Sequence, residues 1–202
     1  MRVTNKFVSF FMVILWSFWF ILSSAYAREG FGLIDVKGVV NTEEIGGNGL
    51  CVVSLWDKRP LIAISADGSF TVAISNQRPQ KLTVRDGRKY TRALAIALPG
   101  HAEKIVFDAR STAFAVLFYD SSLFGDDQQV SGLLKRAENS PSFQELAGYL
   151  KKSLPVMSME EINQSEEYMA LLEKCNKELL GDDQQAIRGS LQNAKSALEK
   201  VL

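Results

Sequence analysis

The chain has 202 residues, 23 basic and 23 acidic side chains, one histidine and two cysteines. A net charge of zero offers no basic face for nucleic acid. A single histidine excludes multi-histidine metal sites, and two cysteines are too few for a disulfide scaffold or a cysteine zinc finger. No metal and no cofactor are expected.

The first 27 residues read as a leader. Met1 to Lys6 carries Arg2 and Lys6 and no acid, Phe7 to Leu22 is apolar except for serines, and Ser23-Ser24-Ala25-Tyr26-Ala27 places small residues at Ala25 and Ala27. A charged start, an apolar middle and an A-x-A cleavage site are the layout of a secretory signal peptide. Cleavage after Ala27 would leave 175 residues with a net charge of −2. The alternative is an uncleaved N-terminal membrane anchor, although a span needs about 20 apolar residues. No cysteine follows the run, which excludes a bacterial lipoprotein anchor, and no other segment could span a membrane. The expected location is secreted or periplasmic, with the membrane touched only through the leader.

Residues 28–108 alternate with a period of two. Ile34-Val36-Val40, Leu50 to Trp56, Phe70-Val72-Ile74, Leu82-Val84, Tyr90 to Leu98 and Ile105-Phe107 are separated by Gly46-Gly47-Asn48-Gly49, Asp67-Gly68, Asp86-Gly87 and Pro99-Gly100. Asp-Gly between alternating segments favours a tight hairpin, because glycine accepts a positive φ. Short strands at this spacing predict an antiparallel β-sandwich. Arg92 to Leu98 carries large aliphatics on one face and alanines on the other, and the alanine face is expected to take a close-packed covering layer.

Residues 109–202 change to helical spacing. Thr112 to Tyr119 is apolar nearly all round, which predicts a buried helix on the sheets. Phe143-Leu146-Leu150-Leu154, Met169-Leu172-Cys175-Leu179 and Ile187-Leu191-Ala194-Leu198-Val201 are amphipathic stripes. Ser140 before Pro141 is a cap followed by a suitable first helical residue, and Ser158 with Glu161 fits a capping box. The expected class is α+β: a β-sandwich over 28–108, then an α-helical region over 109–202 packed on it. Their net charges, +2 and −4, specify no partner.

Three segments carry a family resemblance. Val36-Lys37-Gly38-Val39-Val40, the glycine-rich stretch before Leu50 to Leu55, and Ala66-Asp67-Gly68-Ser69-Phe70-Thr71-Val72, with Lys81 to Val84 following in order, resemble the carboxypeptidase regulatory-like domain, a transthyretin-like β-sandwich. The resemblance covers about residues 31–107. It implies a binding or structural module rather than a catalyst. The zinc carboxypeptidase often attached to such modules and the transthyretin-like hydrolases both depend on several histidines, and this chain has His101 alone. The run Asp108 to Ala113 also resembles a junction in bacterial envelope proteins of undefined function.

Other candidates have local readings. His101 follows Pro99-Gly100 and reads as an exposed turn residue. Cys51 and Cys175 are either two separate buried thiols or a disulfide stapling helix to strand, since secretion would permit one. Gly-Asp-Asp-Gln-Gln occurs at 125–129 and 181–185 and reads as helix punctuation, because calcium loops space their acids at alternate positions. Trp56, Tyr90, Tyr119, Tyr149 and Tyr168 are core residues or a sugar-binding platform. Asn163-Gln164-Ser165 is a glycosylation sequon placed inside a predicted helix. Asp57, Asp67 and Asp86 keep a carboxylate-only hydrolase formally open, but no serine elbow or phosphate loop occurs. The reading is therefore a non-enzymatic module of the cell envelope acting by protein–protein contact, through its loops or by strand addition at an edge. The alternative is a polysaccharide- or small-ligand-binding module. The expected partner is an envelope protein or polysaccharide.

Overall fold

The computed structural model describes residues 32–54, 57, 59, 61–77, 79–98, 104–118 and 127–180. The chain divides into Met1–Leu33 and Ile34–Leu202, and of the first unit only Gly32 and Leu33 are described. The leader with Ala25 and Ala27, His101, Trp56, Tyr119 and the last amphipathic stripe lie outside the described residues. The second unit is α+β. Its elements run β1 (Leu33–Val40), α1 (Thr42–Ile45), β2 (Cys51–Val53), β3 (Ile62–Ala63), β4 (Ser69–Ser75), β5 (Gln80–Arg85), β6 (Thr91–Ala97), β7 (Ile105–Phe107), α2 (Ala109–Phe118), α3 (Asp127–Asn139), α4 (Pro141–Ser153), α5 (Met159–Ile162) and α6 (Glu166–Leu180). No helix among the described residues is long and apolar enough to cross a membrane.

Two sheets form, ordered β4-β1-β7 and β3-β2-β5-β6. The four-stranded sheet is antiparallel, with Val52 opposite Val84 and Leu82 opposite Ala95. The three-stranded sheet departs from the antiparallel expectation. β1 and β7 run parallel, with Gly38 opposite Ile105 and Val40 opposite Phe107. A parallel pair needs a long crossover, and strands β2 to β6 provide it.

The Asp-Gly turns are tight, as expected, and each places three residues between the bonded positions. At the first, Ser65 accepts from Gly68 N at 2.9 Å and donates to Ser69 O at 2.8 Å. Gly68, at φ 81°, takes the left-handed position. Asp86 repeats the pattern, accepting from Lys89 N at 2.9 Å and donating to Tyr90 O at 3.1 Å. Here the left-handed residue is Lys89, at φ 70°, two residues beyond the expected Gly87. The Asp86 carboxylate drives this choice by accepting from Arg88 N and Tyr90 N at 2.9 and 3.1 Å.

Buried residues of both sheets form one cluster, with Val36, Phe70 and Val72 from one and Val52, Leu82, Val84, Ala93, Ala95 and Ala97 from the other. The alanines thus pack towards the other strands, not under the helices. Ile96 and Leu98, on the opposite face of the same chain run, pack on the helical cluster instead. The covering layer was expected on the wrong face because both faces of β6 are buried, and size alone does not say which neighbour is nearer. The helical cluster starts at Ala109 and includes Phe114, Phe143, Leu146, Leu150, Leu154, Tyr168 and Cys175. The caps match the sequence reading: Ser140 Oγ accepts from Phe143 N at 3.0 Å, and Ser158 and Glu161 complete a reciprocal box.

Arg92 closes the row that faces the helices. It is 8 % exposed, and its guanidinium donates from Nη2 to Leu154 O at 2.9 Å and to Ile45 O at 3.3 Å. Both acceptors lie at helix C-terminal ends, where unpaired carbonyls attract a cation. Beside them Gly46, at φ 63°, passes so close to Pro155 that a Cβ would strike its carbonyl. One side chain therefore fixes β6, α1 and the end of α4 together. We expect Arg92→Ala to lower stability by about 2–4 kcal/mol, because two buried carbonyls lose their donor, as measured by urea denaturation. Lys89→Gly should raise it by about 1 kcal/mol by relieving the left-handed backbone; an unchanged midpoint would show that the turn bears no strain.

Candidate functional site

Among the described residues, the structure does not bring the candidate carboxylates Asp57, Asp67 and Asp86 together. Asp67 and Asp86 each serve their own turn, and Asp57 accepts from Ala73 N on β4. Asp67 accepts from Ser69 N and Oγ at 3.0 and 2.7 Å, and those bonds hold its carboxyl below the ordinary range. Asp57 is shifted the same way, first by its hydrogen bonds with Arg59. Neither has the raised affinity for a proton that a general acid needs. Among the described residues no group of three or more His, Cys, Asp or Glu side chains could hold a metal ion.

The tyrosines separate into two kinds. Tyr149 and Tyr168 face each other at 6.2 Å in the helical core. Tyr168 is 1 % exposed, and Tyr149 donates from its hydroxyl to Ser165 Oγ at 2.8 Å. They are core residues rather than a platform. Tyr90 is 49 % exposed. The sequon also differs from expectation. Asn163 is not inside a helix but caps the single turn α5, where it is exposed, and Ser165 is engaged by Tyr149 and by Tyr168 N.

Both cysteines are free thiols, so no staple joins strand to helix. Cys175 is buried, and that burial pushes its thiol up to about 11. Cys51 is only half-buried, on β2, with Sγ 3.7 Å from Arg85 O. It packs less tightly than the expected core thiol because its face of β2 is not closed over.

A polar cluster surrounds Cys175. Ser140 and Ser142 hydroxyls lie 3.0 Å apart, and Glu178 accepts from Ser142 N at 3.3 Å at the start of α4. The two serine hydroxyls hold the Glu178 carboxyl below its ordinary range. A carboxylate so stabilised is a weak base, and the thiol it faces is poorly ionised, so the cluster caps a helix rather than activating a nucleophile. A cleft of about 400 Å³ opens beside it, lined by Lys135, Arg136, Asn139, Ser140, Glu178 and Leu179.

The surface best suited to contact lies where three connections meet. Gly87 N donates to Asn48 O at 3.1 Å, joining the Gly46–Leu50 loop to the Asp86–Tyr90 turn. Thr91 N donates to both Glu160 oxygens at 3.1 Å, joining that turn to α5. Arg92 anchors the trio from below. The Asp86–Tyr90 turn exposes Arg88, Lys89 and Tyr90, and the α4–α5 connection, whose Leu154 carbonyl Arg92 holds, exposes Val156 (76 % exposed). Sequence reasoning missed Arg92 and Val156. Arg92 is a charged residue in an aliphatic row, and that is the only signal it gave.

No family model matches the chain, and neither the curated proteins nor the solved structures contain a match to it. The local thiol geometry yields a direct check. In the native state a soluble thiol reagent should modify Cys51 alone. Cys175 should react roughly 100-fold or more slowly until denaturant is added. Equal rates would mean that the helical core opens as readily as the strand face.

Proposed function

We propose that the chain is an exported, non-enzymatic binding module of the bacterial cell envelope that acts by protein–protein contact. The leader pattern before Arg28 supports export. Two sheets sharing one core support a β-sandwich of the transthyretin-like, carboxypeptidase regulatory-like type, with the helices as an added layer. The observation that carries the contact reading is the three-loop surface, where Tyr90 and Val156 stand exposed on backbone already locked by Arg92 and Glu160. A preorganised surface with an aromatic anchor forgoes little entropy on binding.

Strand addition is less favoured than loop contact, because the backbone edges of β4 and β6 are occupied by side chains. Ser111 and Thr112 hydroxyls lie at 3.4 and 3.2 Å from the Leu94 carbonyl and amide. A polysaccharide-binding module is the weaker reading, since it rests on Tyr90 while Tyr149 and Tyr168 are committed to the core. In-cell crosslinking of the full chain followed by mass spectrometry tests the choice. A single stoichiometric protein partner is expected, with affinity reduced about 30-fold by Tyr90→Ala and also reduced by Val156→Asp. Recovery of glycan alone, or a partner indifferent to both substitutions, would overturn the reading.

A further inference from the structure

Strand β4 lies at the edge of its sheet, and such an edge normally offers a row of open amides and carbonyls to another chain. Here side chains from the β2–β3 connection, with one backbone amide from the turn before β4, occupy much of that row. The Asp57 carboxylate, 4 % exposed, accepts from Ala73 N at 2.8 Å. Arg59 Nη2 pairs with Asp57 Oδ2 at 2.7 Å and also donates to Thr71 O at 2.9 Å. Ser54 Oγ reaches Ala73 O at 3.5 Å, and Ser69 O accepts from Ser65 N at 2.8 Å. The covered segment, Ser69-Phe70-Thr71-Val72-Ala73-Ile74-Ser75, has no charge and no proline and is rich in β-branched and aromatic residues. That is the composition of a strand that pairs readily with a copy of itself.

The two positions that the pair occupies are related in a specific way. In an antiparallel pairing of two β4 strands centred on Val72, Thr71 of one copy faces Ala73 of the other. Both residues direct their amide and carbonyl outward, so each would exchange two hydrogen bonds with its opposite number. We propose that Asp57 and Arg59 form a latch over a latent self-pairing edge, and that with the latch removed two copies of this chain join antiparallel through Thr71–Ala73 about a two-fold axis at Val72. The occupant is a second copy because the segment is self-complementary in register, as an isologous interface requires.

Light scattering on the full chain across a concentration series tests this, with wild type, Asp57→Ala and Arg59→Ala compared, each with and without Thr71→Pro. The latch variants should show a roughly twofold rise in mass with concentration while wild type does not. Arg59→Ala should need the higher concentration, since Asp57 still covers Ala73. Thr71→Pro removes an outward amide that the pairing needs, so it should return both variants to the wild-type mass. Folded latch variants of unchanged mass would overturn the proposal. So would association that survives Thr71→Pro, or a wild type that already pairs through this edge. If Asp57→Ala does not fold, the half-exposed Arg59→Ala decides alone, and its failure to associate overturns the latch.

Discussion

A guanidinium taken out of water must find oxygen acceptors, and Arg92 finds them at the ends of two helices rather than on an acid. That constraint organises much of the described chain. β6 must run beside α1 and the end of α4 at a fixed height. Gly46 must approach Pro155 closely, so its position tolerates no side chain. Glu161, which completes the cap of α5, sits near enough to the same charge to feel it. The loops that carry Tyr90 and Val156 are then held from beneath by the residue that joins strands to helices. The framework and the contact surface therefore share one support.

The two sheets solve the problem of their open edges with the same chemistry drawn from different places. On β6 the covering groups come from the first turn of α2 and from Glu160. On β4 they come from an acid and an arginine two residues apart in a connection. In neither case does another strand among the described residues finish the sheet. The remaining polar burial is less complete: among the described residues, Arg92 Nε, both amide atoms of Gln80 and Asn176 Oδ1 are buried without a hydrogen-bond partner.

Much of the secondary structure was legible in the sequence, because local rules wrote it. Alternation placed β1, β4, β5 and β6, and Ser140-Pro141 and Ser158 with Glu161 marked helix starts through bonds spanning three residues. What could not be read was anything decided across long separations. The direction of β7 depends on where the chain returns, not on the sequence of Ile105 to Phe107. Which neighbour meets the alanines of β6 depends on the spacing of layers. The candidate surface was hidden for the same reason. Val156 is an ordinary apolar residue until the folded loops leave it outside, and Asp57 reads as a turn residue until Ala73 is placed beside it. The αL position of Lys89 was missed because Gly87 gave the stronger local signal.

The parallel pairing of β1 with β7 has a kinetic meaning. Residues 38–40 lie in the first described strand, yet their partners are residues 105–107. The β5–β6 hairpin can close as soon as its own turn has formed. The three-stranded sheet cannot be completed until every strand between has been made and brought round. Loop closure of that span slows folding, and throughout the interval one side of β1 stands open. The order of assembly is thus built into the topology, with the first strand waiting for the last.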